Sequence, residues 1–254
     1  MSRQSLALIS LGTILAGLVA CGGGGGGGGS ALPTITVTDN VSSLTATIFQ
    51  GQGQFSPYVD PTLFVSGSIN PMPSGITYAV FVFSGVGFNL ADTTFTPMGG
   101  NSFQAGFEPD NTLAPSTYTG TITLHLYADS AYTQAYPVVN GSLPFTITVT
   151  PQLSVTILDD TASTTLISNL TTQVYEQACT INSRDVVEID SNLPMTWTGN
   201  STPSLSFAQT SDSTPTAWKA TFTLGAIPEA SISLNGTSTD GSNQALLVGF
   251  NVNP

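Results

Sequence analysis

The sequence predicts an all-β protein: two tandem antiparallel β-sandwiches behind an export leader and a glycine tether. Three observations predict it. Thr, Ser, Val and Gly dominate and only 7% of residues are charged, and such β-branched and turn-forming chains favour strands over helices. Short alternating apolar runs recur between Gly, Pro and Asn/Asp turns, and no window after Ser30 holds the i, i+3, i+4, i+7 spacing among good helix formers. The length beyond the leader suits two sandwiches of about 100–120 residues each. The boundaries read as leader 1–20, tether 21–31, first sandwich 32–150 and second sandwich 151–254.

Residues 1–20 have the three-part layout of an export signal. Arg3 supplies the positive start, Leu6 to Leu18 the apolar stretch and Ala20 the small residue before the cut. The apolar stretch is shorter than the ~20 residues of a spanning helix, and Gly12, Thr13 and Gly17 weaken it. Leu18-Val19-Ala20-Cys21 resembles a bacterial lipobox. The resemblance implies that Cys21 becomes the first residue and carries acyl chains, palmitate among them, on its sulfur and amine. The membrane partner would then be reached through lipid on Cys21. Gly22, rather than Asp, follows the cysteine, which by the same resemblance implies the outer membrane of a bacterial envelope. A single acyl chain binds a bilayer only marginally, whereas several on one residue anchor it stably. The other reading is an ordinary secretory signal with an incidental cysteine behind it. Gly22 to Gly29 has no Cβ to restrict it, so it reads as a coil spanning on the order of 15–18 Å.

Strands of the first sandwich are expected at 34–38, 44–49, 63–69, 77–83 and 102–107, with turns around Gly51 to Pro57, at Asn70–Gly75 and at Pro109–Asn111. Leu113-Ala114-Pro115-Ser116-Thr117-Tyr118 leads into a long alternating strand to Tyr127, the layout of a tyrosine corner. Ala128 to Ala131 turns the chain, and Gly141 to Val149 closes the sheet. The runs Tyr118–Ile122, Tyr127–Tyr132, Gly141–Pro144 and Thr146–Val149 resemble a bacterial immunoglobulin-like repeat of exported proteins of the Xanthomonas and Lysobacter type. In many such repeats two cysteines flank the Asp-bearing hairpin. Here Tyr127 and Tyr132 stand in those places, so that staple is absent. The resemblance implies a Greek-key sandwich and carries no active site.

The second sandwich restarts alternation at Leu153–Leu158 and continues through Val186 to Trp197, Ala217–Leu224, Ala230–Gly236 and Ala245–Val252. Trp197 reads as a core aromatic. Pro151 marks a short linker.

Chemistry is scarce. The chain carries a formal charge of −12, and beyond the leader only Arg184 and Lys219 are basic. That excludes a nucleic-acid partner, because nothing neutralises phosphates. Cys179 has no cysteine partner once Cys21 is lipidated and reads as a small buried hydrophobe, with a reactive or intermolecular thiol as the alternative. His125 shares a strand face with Thr123 and Tyr127, while Leu124 and Leu126 point the other way. It is the only histidine, and neither a Gly-x-Ser-x-Gly elbow nor a zinc ligand set accompanies it. Asp39, Asp159, Asp160, Asp185, Glu188 and Asp190 are the acids most able to meet, but no Ca²⁺ loop pattern is present. Phe81, Phe83, Phe88, Phe95, Phe103 and Phe107 read as core, with an exposed aromatic platform as the alternative. The expectation is therefore a non-enzymatic, lipid-anchored envelope protein with no catalytic residue, cofactor or metal. It would serve adhesion, structural spacing or binding of a protein or glycan partner; the alternatives are a glycan- or small-ligand-binding module of the envelope and, behind it, an enzyme.

Overall fold

A computed structural model of the chain describes residues 5–9, 32–54, 60–72, 78–171, 177–202, 204–226 and 229–254. Cys21, the glycine run, Pro57, the turn residues Pro73–Gly75 and Val174–Glu176 lie outside the described residues. Among the described residues nearly every element is a strand, and the one helical piece is a 3₁₀ turn at Gln52–Gln54. No helix among the described residues is long and apolar enough to cross a membrane.

The chain divides into two compact units. One comprises the chain up to Ala46 with Pro61–Asp110 and Thr117–Thr148; the other comprises Thr47–Asp60, Asn111–Ser116 and Val149–Pro254. The first ten strands are β1 (Ser5–Ile9), β2 (Ile35–Asp39), β3 (Leu44–Phe49), β4 (Leu63–Asn70), β5 (Tyr78–Phe83), β6 (Phe88–Gly99), β7 (Ser102–Pro109), β8 (Ser116–Tyr127), β9 (Val138–Val139) and β10 (Ser142–Thr150). They form two sheets, ordered β1-β5-β8-β10-β3 and β6-β7-β4-β2-β9. The second set is β11 (Ser154–Asp159), β12 (Thr164–Thr171), β13 (Gln177–Asn182), β14 (Val186–Ser191), β15 (Met195–Gly199), β16 (Leu205–Gln209), β17 (Ala217–Leu224), β18 (Ala230–Ser238) and β19 (Ala245–Asn253). Their sheets run β12-β11-β14-β17-β16 and β13-β19-β18-β15.

The two sandwiches are immunoglobulin-like and share one plan. Row β3-β10-β8-β5 matches row β13-β19-β18-β15, and row β2-β4-β7-β6 matches row β11-β14-β17-β16. The halves show no sequence repeat, yet the order is the same. What differs is appended at sheet edges: β1 and β9 in the first, β12 in the second. Pairing is mostly antiparallel; β13 with β19 and β2 with β9 are parallel.

Strand alternation builds both cores. In β10 the pattern is buried at Leu143, Phe145, Ile147 and Val149, and in β19 at Leu246, Val248, Phe250 and Val252. Trp197 is 8% exposed and packs 6.2 Å from Trp218. Its ring lies over Gly236, where an added Cβ would sit 2.6 Å from the ring, so that position admits only glycine. Phe81, Phe83, Phe88, Phe103 and Phe107 are buried in the first sandwich, as expected of core. Phe95 is half-buried and stacks on Phe103 at 5.2 Å.

Candidate ligand-binding face

β5 and β8 pair with Tyr78 opposite Tyr127, Val80 opposite His125 and Val82 opposite Thr123. The intervening residues Ala79, Phe81, Leu124 and Leu126 are buried. The period of two therefore turns Tyr78, Val80, Val82, Thr123, His125 and Tyr127 to the outer face. A fourth aromatic comes back from the hairpin after β8. Tyr132 lies edge-on to Tyr127 (5.3 Å, 89°) and to Tyr78 (5.8 Å, 73°), and His125 stacks beside Tyr127 at 6.5 Å. All four rings are half-exposed.

The hairpin is held by one carboxylate. Asp129 Oδ1 accepts from the amides of Thr133 (2.9 Å) and Gln134 (3.0 Å), and Oδ2 accepts from the Thr133 hydroxyl. Those bonds, the Thr133 hydroxyl foremost, hold the Asp129 carboxyl below the usual range. The turn leaves Tyr132 at φ 57°. A bulky aromatic in the left-handed region is an outlier, tolerated where the surroundings over-determine it. Here the price is a tyrosine ring aimed back at the β5–β8 face. Tyr127 and Tyr132 meet as an aromatic pair. Such a pair contributes about 0.5–1.5 kcal/mol beyond its buried area.

The expected acids separate into a buried pair, a cluster around Lys219, and Asp39 apart from both. Asp159 and Asp185 are buried and cap local turns, accepting from the amides of Ala162 (3.0 Å) and Asn182 (2.8 Å). Asp39 sits at the end of β2, and burial raises its pKa. Asp160, Glu188 and Asp190 come together on the outward side of β11 and β14 around Lys219, which pairs with Glu188 at 3.0 Å, Asp160 at 3.4 Å and Asp212 at 3.8 Å. Burial, then Glu188, raises the Asp190 pKa. A raised folded pKa favours folding below the unfolded value near ~3.9, and that contribution is lost as pH rises through the folded value. Asp190→Asn should therefore raise Tm at pH 7 by roughly 1–3 °C, modestly because the carboxyl is solvent-screened. The gain should vanish below about pH 4. A thermal melt series across pH checks both signs.

Cys179 is 5% exposed, and burial pushes its thiol up to about 11, so it stays protonated and unreactive near neutral pH. Among the described residues no group of three or more His, Cys, Asp or Glu is placed to hold a metal. The first sandwich has a partly open void of about 20 Å³ lined by Val37, Val65, Phe81, Phe103 and Phe107. A shallow open depression of about 410 Å³ lies over Thr198, Asn200, Ser231 and Asn235. Neither offers a deep cleft.

No protein-family model matches the chain, and no curated protein matches its sequence. Its fold is similar to that of the Yersinia pseudotuberculosis adhesin InvE (12% identity, TM-score 0.26), with 87% of this chain and 59% of that one covered. The chain thus spans about three fifths of the adhesin's length. It is also similar to domains 5-6 of the S-layer protein SbsC (8% identity, TM-score 0.24, 84% of this chain and 95% of that one). Tandem Ig repeats of Dlar are a third case (12% identity, TM-score 0.25, 85% and 97%). Likeness at this level carries no argument about ligand or role.

Proposed function

We propose that this chain is a non-enzymatic, lipid-anchored protein of the bacterial outer membrane whose first sandwich binds a partner in adhesion. The observation that carries the binding role is the Tyr78–Tyr127–Tyr132–His125 face, held open by a strained hairpin. Tyrosine offers a flat apolar ring and a hydroxyl at low entropy cost, which suits it to recognition. Anchoring rests on the Leu18-Val19-Ala20-Cys21 match, and reach on the glycine run behind it.

A glycan ligand is the second reading. It is favoured by the hydroxyls that Tyr78, Tyr127 and Tyr132 carry on the same rings, because a sugar needs both stacking and hydroxyl partners. The test uses the chain as the bacterium makes it. An alkyne palmitate analogue should label the wild type and not Cys21→Ala, and label on both would remove the anchor. Cells carrying Tyr127→Ala with Tyr132→Ala should lose at least about tenfold of their retention on host-protein or glycan surfaces, a loss of ~1.4 kcal/mol. Equal retention, with unchanged far-UV dichroism, would remove the face. Flat responses across a glycan array would sink the glycan reading.

A further inference from the structure

β5 lies between only two strands, β8 and β1. On the β8 side it is paired through six residues, Tyr78 to Phe83. On the other side Ser5–Ile9 pairs antiparallel with it, from Ser5 opposite Phe83 to Ile9 opposite Ala79. Those five residues belong to the leader. If the chain is cut before Cys21, as proposed above, β5 keeps its own fold partner and loses the strand at its outer edge.

We infer that the β5 edge freed by processing pairs with β5 of a second copy, antiparallel, joining two first sandwiches into one continuous sheet. The inference rests on the processing reading and goes beyond it. Four observations support it. The edge is shaped for a strand, since Ser5–Ile9 sits on it without a register shift. β5 reads Tyr-Ala-Val-Phe-Val-Phe, with no Pro, no Lys and no bulge. It therefore lacks the devices by which sheet edges avoid association. Val80, opposite His125, is only 2% exposed, so the middle of β5 is an apolar and desolvated stretch. The formal charge of −12 does not oppose the contact locally, because neither Tyr78–Phe83 nor the paired Ile122–Tyr127 contains an acid.

A second copy is the occupant the geometry favours. An antiparallel pair of identical strands is related by a twofold axis, so a single edge serves both partners. The pairing keeps Phe81 and Phe83 of each copy on the core side and puts both Tyr/His faces on one outer surface. Anchoring on a glycine run holds copies in one membrane plane with free orientation, which raises their effective concentration.

The test uses the processed, lipidated chain extracted from membranes, with the start at Cys21 verified by intact mass. Native mass spectrometry should give twice the chain mass for wild type and for Val82→Thr. Val82→Lys places a charge on the edge and should give a single chain mass with an unchanged far-UV spectrum. The amides of Ala79, Phe81 and Phe83 face away from β8, because Ser84 bonds Thr121 and the ladder alternates. They should exchange at least about tenfold faster in Val82→Lys, since they lose protection when the edge is open. A single chain mass for the processed wild type would overturn the inference, as would a dimer that survives Val82→Lys. A chain that still carries residues 1–20 would instead refute the processing reading, and the inference with it.

Discussion

Phe107→Ala is expected to destabilise the first sandwich by about 3–5 kcal/mol, among the largest effects of any single change there. Phe107 lies in β7 and is 2% exposed. Its ring meets Phe81 edge-on at 5.1 Å, Phe88 at 5.9 Å and Phe83 at 6.1 Å, so it joins the strands of both sheets. Truncation removes its buried area and leaves a cavity. The neighbouring void of about 20 Å³ already has Phe107 in its wall, so the new space merges with it. The surrounding rings sit on paired strands and cannot collapse into the gap, which places the cost at the upper end of the range. Phe107→Leu retains much of the volume and should cost distinctly less. Both tryptophans, Trp197 and Trp218, belong to the second unit. The Phe107 effect is therefore read by amide exchange of β4 and β7 in urea. Protection unchanged in Phe107→Ala would contradict this account of the core.

The strands at the centre of a sheet were legible in the sequence, and so was β3, read at 44–49, although it ends its sheet. β4, β7, β8 and β10, and likewise β11, β14, β17, β18 and β19, have neighbours on both sides and bury one whole face. Their alternation is correspondingly clean. The strands that were not legible, β6, β12 and β16, all lie at sheet ends. β6 contains Asp92 and Pro97 and slips register between Asn89 and Thr94. Such residues signal a loop in a central strand but are tolerated at an edge, where one side needs no ladder. β12 buries only Leu170 and carries Asn169 at φ 55°. These edge strands are specified by their neighbours more than by their own residues, whereas β3 buries Leu44, Ile48 and Phe49 and was legible from them.

The candidate face was half legible. Tyr127 and Tyr132 stood out because they flank the Asp129 hairpin, and alternation placed His125 beside Tyr127. Nothing local joined Tyr78 to them. That contact depends on the register Tyr78–Tyr127 between strands 49 residues apart, and on a positive φ at Tyr132, which a propensity argument assigns to Gly or Asn. Of the acids, sequence suggested a meeting point but not its counter-ion. Lys219 sits opposite Glu188 because β17 pairs with β14 in that register.

Gln244→Leu is expected to cost the second sandwich about 2–4 kcal/mol, an effect invisible to any reading that treats the β18–β19 turn as surface. Gln244 is fully buried. Its Oε1 accepts from the amide of Leu153 at 2.7 Å, and its Nε2 donates to the carbonyl of Pro151 at 2.9 Å and to Ser242 Oγ at 3.1 Å. Its own amide donates to Ser238 Oγ at 2.9 Å. One side chain thus satisfies the backbone where the chain enters the second sandwich. It is held there by a turn with positive φ at Gly241 and Asn243. Leucine fills most of the volume but leaves a buried N–H and a carbonyl without partners, each costing about 1–3 kcal/mol. Gln244→Glu separates the two terms. It keeps the acceptor for Leu153 but turns a carboxylate against the Pro151 carbonyl. Burial and that repulsion raise its pKa, so its stability should be present below the unfolded value near ~4.3 and lost as pH rises through the folded one. Tryptophan fluorescence in urea, which follows this unit alone, should show the Glu variant approaching wild type at pH 4 and the Leu variant remaining low. A Leu variant as stable as wild type would mean that water replaces the amide, and that the clamp is not what fixes the entry strand.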